Sequence, residues 1–217
     1  MARRGFPSII RVATGVAIVA AVAGQLQYLA DADLLRTVNF FSFFTIQSNI
    51  LACLVLLGLD ADPTTPLGRF ARGARGVATL AMTMTGIIYA VLLAPIAADV
   101  STQLDWVNLV VHVVAPIVVL VDWLVAPPTT SSRAVLGWLA FPVAWIAYTI
   151  VRGLVADWYP YPFIDPRPEV ANAAGSWGAV VVTIAILTVA VVGLAFALRW
   201  IAAASPFSPD RLEAAPV

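Results

Sequence analysis

Six apolar stretches, each about as long as a bilayer is thick, constrain the fold of this chain more than any other feature. Crossing the hydrocarbon core takes about 20 predominantly apolar residues, at a rise of about 1.5 Å each. The stretches that meet this requirement are Ile9–Leu29, Val38–Leu59, Gly76–Ala97, Trp106–Ala126, Val135–Arg152 and Trp177–Ile201. The pattern predicts an all-α membrane protein, with a single bundle of six transmembrane helices over residues 1–204 and a disordered cytoplasmic tail over residues 205–217.

The composition agrees with lipid as the solvent. Hydrophobic residues make up 61% of the 217 residues and charged residues only 11%, whereas about a quarter of a soluble domain is charged. The formal net charge is zero, so nothing favours nucleic acid as a partner. Because the chain has one histidine and one cysteine, we expect neither a metal site nor a haem site of the usual kind, and no cofactor.

The placement of arginine predicts the orientation in the membrane, because cytoplasmic loops carry an excess of positive charge. With a cytoplasmic N-terminus, the cytoplasmic side receives Arg3, Arg4, Arg69, Arg72, Arg75, Arg133, Arg199 and Arg211. The outer side receives Arg36, Arg152 and Arg167. We therefore expect a multi-pass protein of the plasma membrane with both termini in the cytoplasm.

The first span also has features of a signal peptide. Arg3 and Arg4 precede its apolar run, and Ala21-Val22-Ala23 fits a cleavage site. The apolar run continues past that site to Leu29, which favours a retained first span.

The fourth span carries two ionisable residues, His112 and Asp122, where charge is costly. Asn108 lies one turn before His112, and Pro116, four residues after it, cannot donate to its carbonyl. A site residue is one interpretation of His112; a histidine that only bonds a neighbouring helix is another. Asp122, about 15 Å further along the helix, is expected to be a polar anchor near the cytoplasmic boundary, paired with Arg133 or another arginine.

The second span is unusually polar between residues 42 and 49. Ser42, Thr45, Ser48 and Asn49 share one face at helical spacing. Small polar residues also bond back to the preceding turn and pack helices together. The pattern is therefore compatible with a site and with a purely structural role.

Matched depth connects these two spans. Thr45 and His112 each lie six or seven residues below the outer end of their span, on the order of 10 Å beneath the boundary. If the two helices are neighbours, the imidazole can act as general base for a threonine nucleophile. This pair predicts a nucleophilic, esterase-like site.

Other polar residues reach the outer half of the bundle as well: Tyr89, Asn108, Tyr148 and Arg152. Asn108 or Tyr89 would hold the histidine tautomer. Ser48 or Asn49, on the same face as Thr45, would stabilise an oxyanion. Together these residues predict a pocket that opens toward the outer leaflet.

Three motifs carry a resemblance to a known family: Phe44-Thr45-Ile46-Gln47-Ser48-Asn49, His112 with Pro116 and Asp122-Trp123, and Trp158-Tyr159-Pro160-Tyr161-Pro162-Phe163. In this order and spacing the chain resembles bacterial six-helix relatives of the androgen-induced and androgen-dependent membrane hydrolases. Those animal proteins are threonine hydrolases that cleave fatty acid esters of hydroxy fatty acids. The resemblance implies that Thr45 is the nucleophile, that His112 is essential, and that Tyr161-Pro162-Phe163 is the Tyr-Pro-Phe motif of the outer loop.

The same loop has a physical interpretation. Each proline favours an extended conformation in the residue before it, so Trp158–Phe163 is not expected to be helical. Its aromatic rings would cover or line the mouth of the bundle, or form a plain aromatic belt at the interface.

Three functional hypotheses follow. The first is an intramembrane lipid-ester hydrolase, or an acyltransferase, that takes a lipophilic ester from the surrounding membrane lipids. The second is a transporter or channel for a small solute, with His112 as a protonatable gate and Arg152 as an anion-binding group. The third is a structural or sensory membrane protein whose polar residues only pack helices.

Overall fold

The computed structural model describes residues 6–96 and 104–206, and all regular structure within these ranges is helical. The α-helices are α1 (Ser8–Asp31), α2 (Thr37–Ser42), α3 (Phe44–Leu59), α4 (Pro66–Ile88), α5 (Asp105–Leu109), α6 (Ala115–Val125), α7 (Ser132–Trp138), α8 (Ala140–Ala156) and α9 (Trp177–Ala204). Two π-helical turns, Tyr89–Leu93 and Val110–Val114, and two 3-10 turns, Ala94–Ile96 and Pro162–Ile164, complete the helical structure of the described ranges.

Five continuous helical stretches in the described ranges are long and apolar enough to cross a membrane: Ser8–Asp31, Pro66–Ile96, Asp105–Val125, Ser132–Ala156 and Trp177–Ala204. Many large apolar side chains on these stretches are exposed, as lipid-facing side chains are expected to be; on α9, Val189 is 74% exposed and Trp200 69%. The prediction of an all-α protein is confirmed for the described residues, and five of its helical stretches have the length and composition that a membrane span requires.

The second predicted span differs from the expectation of one continuous helix. Phe43 adopts an extended conformation (φ −65°, ψ 132°) and separates the six-residue α2 from the sixteen-residue α3. Ser42 therefore does not continue the helical face of Thr45, Ser48 and Asn49. The break turns the beginning of α3 into a helix N-terminus inside the bundle.

Helix α4 begins at Pro66, ten residues before the third predicted span, Gly76–Ala97. Thr65 caps α4 by accepting a hydrogen bond from the Gly68 N–H, and Pro66 occupies the first turn, where a missing N–H does no harm. Of residues 60–75, which separate the second and third predicted spans, only 60–65 lie outside the helices. Hydropathy marks the part of a helix that suits lipid, whereas capping marks where the helix begins.

Some of the expectations fall on residues that the structure does not describe. Arg3 and Arg4 lie outside the described residues, as does the predicted tail from residue 207 onward.

The bundle has two ends that can be told apart by their contacts. The proximal end holds Ser8, which bonds Asp60, and Ser205, which bonds the Leu124 carbonyl. The distal end holds the start of α5, where the Leu104 N–H donates to Gln25 of α1. Helix α3 lies in the middle, packed mainly on α4 and α1, with most of its residues buried.

A buried ion cluster joins three helices near the proximal end. Asp122 of α6 accepts from the Nε and Nη2 of Arg11 at 2.8 and 2.6 Å and from Arg75 Nη2 at 2.7 Å. Asp60 pairs with Arg11 Nη1 at 2.8 Å. Asp122 is thus an arginine-paired anchor, as predicted, but its partners are Arg11 and Arg75 and not Arg133, because α1 and α4 are the helices that pack against α6.

Candidate active site

Thr45 lies in the first turn of α3, at the break in the second span. A break inside a membrane is tolerated only where other groups satisfy the freed backbone. Here Gln47 Nε2 donates to the Phe41 carbonyl and Trp145 Nε1 to the Ser42 carbonyl, both at 2.9 Å. The Thr45 N–H donates to the hydroxyl of Tyr161 at 3.2 Å. Side chains from α3, from α8 and from the loop between α8 and α9 (residues 157–176, the distal loop) therefore hold Thr45 at a helix N-terminus.

The structure brings Thr45 and His112 into contact. Thr45 Oγ1 lies 3.2 Å from His112 Nε2, and both residues are buried. His112 lies in the π-helical turn Val110–Val114. The turn comes just before Pro116, which has no N–H to donate to the His112 carbonyl, and such turns locally change the hydrogen-bond pattern of a helix. The pair thus joins two segments that are 67 residues apart in sequence.

The hydrogen bonds behind His112 define its tautomer. His112 Nδ1 lies 2.7 Å from Asn108 Oδ1, and the Asn108 amide nitrogen donates to the Tyr89 hydroxyl. An amide oxygen can only accept, so Nδ1 carries the proton and Nε2 presents its lone pair to the Thr45 hydroxyl. The Tyr89 ring also stacks on the imidazole, with 4.2 Å between centroids. Both residues predicted to orient the histidine lie beside it, Asn108 by direct contact and Tyr89 by stacking and through Asn108.

Tyr161 completes the surroundings of the threonine. Its hydroxyl lies 3.2 Å from Thr45 Oγ1, and the backbone N–H groups of Thr45 and Phe44 point to it. Burial raises the pKa of the Tyr161 phenol, and its hydrogen bonds to Thr45 and Phe44 lower the pKa by less. Because the net pKa lies above the ordinary value of 10.0, the hydroxyl keeps its proton at neutral pH and can donate.

Ser48 and Asn49, the two predicted oxyanion donors, are engaged elsewhere. Ser48 bonds the Thr45 carbonyl at 3.1 Å and the Thr85 hydroxyl at 2.9 Å. The Asn49 amide nitrogen donates to the carbonyls of Thr45 and Val111 at 2.9 and 3.1 Å. Their hydrogens are directed at helix packing, so the geometry does not fit an oxyanion role for either one.

Tyr148 and Arg152 form their hydrogen bonds with α2, away from Thr45 and His112. Tyr148 shares a 2.7 Å hydrogen bond with Ser42, and Arg152 donates to Asn39 at 2.6 Å. Both contacts connect α8 to α2. Neither hydrogen bond involves Thr45 or His112.

An apolar cavity of about 130 Å³ borders the site between α4, α8 and α9. Phe44, the neighbour of Thr45, forms part of its wall, and so does Phe163, whose ring stacks on Tyr161 at 5.2 Å. The cavity opens sideways between α8 and α9, where Val143 is 60% exposed. An alkyl chain entering from lipid would meet apolar side chains up to the aromatic rings that surround Thr45.

Sequence reasoning missed two groups of site residues. It placed Tyr161 in an aromatic cover but did not predict its hydroxyl on Thr45, because nothing local relates positions 116 residues apart. It also missed the N–H groups at the start of α3, because the break at Phe43 has neither proline nor glycine beside it.

Comparison with known proteins identifies no relative: no family model, no curated protein and no solved structure matches the chain.

Proposed function

We propose that the protein is an intramembrane lipid-ester hydrolase with Thr45 as nucleophile and His112 as general base. The observation that carries the proposal is the directional chain from the Thr45 hydroxyl through His112 to Asn108 and Tyr89. A nucleophile bonded to a base, with the base oriented by a third group, is the arrangement that activates hydroxyl nucleophiles in unrelated folds. The resemblance noted from the sequence implies the same pair.

In the acylation step, the hydrogen-bond chain from Thr45 through His112 carries the proton from the nucleophile to the leaving alcohol. Thr45 Oγ1 attacks the ester carbonyl carbon as its proton moves to His112 Nε2, and the carbonyl oxygen becomes an oxyanion. When the carbon–oxygen bond to the alcohol breaks, the proton on Nε2 passes to the departing alkoxide, leaving an acyl ester on Thr45. Water, deprotonated by His112, then releases the acid; an alcohol in place of water gives acyl transfer.

Oxyanion stabilisation falls to groups other than those first expected. The Tyr161 hydroxyl lies 3.2 Å from Thr45 Oγ1 and accepts from the N–H groups of Phe44 and Thr45, so its own proton is the one that can donate to the oxyanion. The N-terminus of α3 adds the positive end of a helix dipole. Donors of this kind each contribute roughly 10²–10³ in rate.

We further propose that the chain crosses the plasma membrane six times, with both termini in the cytoplasm. Counting α2 and α3 together as one crossing gives an even number of spans, with α1 and α9 both reaching the proximal end. The excess of arginine at that end supports a cytoplasmic location. In this orientation the candidate site lies in the outer half of the bundle.

The test is labelling of the purified protein by a fluorophosphonate probe, which reacts with activated hydroxyl nucleophiles. Wild type should be labelled, whereas Thr45→Ala and His112→Ala should not. Thr83→Ala is the matched control, because this buried threonine only bonds its own helix at the Thr79 carbonyl. Asn108→Leu should slow labelling without abolishing it. Labelling that survives in Thr45→Ala, or that is absent from folded wild type, contradicts the proposal.

Transport is the second candidate, and one observation favours it. A discontinuous helix whose N-terminus lies inside the bundle, as α3 does, is typical of transporter binding sites. Uptake of a weakly polar solute by proteoliposomes, driven by a proton gradient and lost in His112→Ala, would support transport; its absence together with Thr45 labelling would support the hydrolase.

A further inference from the structure

Asn49 connects the helix of the nucleophile to the turn that holds the base. Its amide nitrogen donates to two carbonyls at once, that of Thr45 in the first turn of α3 at 2.9 Å and that of Val111 in the π-helical turn at 3.1 Å. The side chain is completely buried, and in the described structure its Oδ1 has no hydrogen-bond partner. Rotating the amide by half a turn would bring that oxygen against both carbonyls, so the two donated hydrogen bonds fix its orientation.

The Val111 carbonyl needs a donor from outside its own helix. In the π-helical turn the Ala115 N–H donates to the Val110 carbonyl, five residues earlier. The same pattern would pair the Val111 carbonyl with the N–H of residue 116, but that residue is proline and has no N–H. A buried carbonyl without a donor is costly inside a membrane. The amide of Asn49 supplies the missing donor from α3.

A primary amide suits this position because one nitrogen carries two hydrogens. A serine or threonine hydroxyl has a single hydrogen and could serve only one of the two carbonyls. If the amide were lost, the Thr45 carbonyl would still accept from the Ser48 hydroxyl, at 3.1 Å. The loss would therefore fall on the Val111 carbonyl and on the π-helical turn that contains it.

The geometry of the reacting pair depends on this turn. Val111 directly precedes His112 in the chain, so one nitrogen of Asn49 links the backbone of the nucleophile to the residue beside the base. This link runs parallel to the 3.2 Å contact between Thr45 Oγ1 and His112 Nε2. Without the amide, the turn would have to rearrange to pair the Val111 carbonyl, and such a rearrangement moves the imidazole of the next residue.

We propose that Asn49 is a positioning residue, whose amide replaces the N–H that Pro116 lacks and thereby fixes the π-helical turn in which His112 faces Thr45. The inference deepens the proposed function, on which its effect on rate rests. The hydrogen bonds themselves do not require turnover, so they can be measured separately.

The first experiment follows the imidazole, by nitrogen NMR of the full chain in detergent with isotope-labelled histidine. The chain has one histidine, so its ring signals belong to His112. A ring nitrogen that accepts a hydrogen bond moves downfield when it loses that bond, so Thr45→Val should move the Nε2 signal downfield. Asn49→Leu should move it in the same direction by at least half as much. Thr85→Val is the matched control: it removes a buried hydroxyl that bonds α3 at Ser48, and it should leave the signal in place.

The second experiment tests whether Pro116 is the reason for the contact. Pro116→Ala returns an N–H to the turn, and in either a π or an α pattern the Val111 carbonyl then has a backbone donor. Asn49→Leu should therefore lower Tm by less in the Pro116→Ala background than in wild type. If Asn49→Leu alone does not fold, the variant that also carries Pro116→Ala should still fold.

The outcomes separate the two proposals. An unmoved Nε2 signal in Asn49→Leu, or a loss of stability that Pro116→Ala does not reduce, overturns the positioning role and leaves the hydrolase standing. If Thr45→Val does not move the signal, the contact that both proposals share is absent and both fall.

The rate of fluorophosphonate labelling connects the positioning role to catalysis. Asn49→Leu should slow labelling of Thr45 roughly 10²-fold, as expected for a misplacement of about 1 Å. An unchanged rate overturns the positioning role. If wild type resists labelling while the Nε2 signal and Tm behave as predicted, Asn49 still positions His112 and the hydrolase falls.

Discussion

Replacing Asp122 with asparagine removes a carboxylate that serves two buried guanidinium groups at once. Arg11 and Arg75 are 9% and 8% exposed, and Asp122 is 2% exposed. After the substitution Arg11 keeps Asp60, at 2.8 Å. Within the described residues Arg75 keeps no carboxylate, because its only ion pair there is with Asp122. The result is one uncompensated charge inside the bundle.

The size of the effect follows from this asymmetry. Removing one partner of a buried pair costs about 3–5 kcal/mol, because the other charge remains buried. For a chain of this length each kcal/mol shifts Tm by about 2–4 °C, so Asp122→Asn should lower Tm by roughly 6–20 °C. That scale comes from soluble proteins; a membrane protein in detergent keeps helices on unfolding and gains less entropy, so the shift should not be smaller.

Thermal unfolding in detergent, followed by tryptophan fluorescence, measures this shift. Asp60→Asn is the control, since the Asp60 side chain is 22% exposed and Arg11 retains Asp122; partly exposed pairs contribute about 1 kcal/mol or less. Adding Arg75→Gln to Asp122→Asn removes the orphaned charge and should restore at least half of the lost Tm. Equal shifts for the two aspartate variants, or no recovery in the double variant, would refute the reasoning.

Two further predictions concern the distal loop. Gly153→Ala would direct its methyl group into the ring of Tyr159, so it should destabilise the protein by about 1–3 kcal/mol in the same thermal melt. Gly193→Ala is the control. No atom lies within 4 Å of its added carbon, so this variant should be as stable as wild type or up to about 1 kcal/mol more stable. Burial raises the pKa of Asp165, but the hydrogen bonds and charge of Arg167 lower it by more, so its folded pKa lies below 3.8. The contact is therefore intact above pH 3.8 and is lost as the pH falls further: pepsin cleavage within residues 157–176 should accelerate only there, whereas Asp165→Asn should be cleaved fast throughout the acid range. If cleavage of the wild type does not depend on pH, the ion pair between Asp165 and Arg167 is not what stabilises the loop.

The helices and the central contact of the site were accessible from sequence for a simple reason. Apolar runs of bilayer length form helices, and a helix is a rigid rod with a known rise, so equal depth in two spans can be computed without knowing the fold. The contact between Thr45 and His112 needs only that depth and a neighbour relation between α3 and the segment that holds His112.

Other parts depend on which helices are neighbours, and no local pattern contains that information. Nothing beside Phe43 breaks a helix; the break exists because Trp145 and Tyr161 satisfy the freed backbone. Asp122 could have paired with any arginine near the proximal end, and its real partners follow from the packing of α1 and α4. Arg11 lies near the start of the first apolar run. A charge at that position was the one feature of the sequence that indicated an ion pair with a buried carboxylate.

The broken second span also carries a consequence for biosynthesis. The Ser42 carbonyl accepts from Trp145, 103 positions later in the chain, and the Thr45 N–H donates to Tyr161, 116 positions later. In the six-span topology proposed above, neither partner has been synthesised when the second span first enters the membrane, and a continuous helix is the only way to satisfy those groups in lipid. The ribosome must therefore deliver α8 and the distal loop before the span can open at Phe43, so the threonine acquires its surroundings late in assembly, after the segments that hold His112 are already in place.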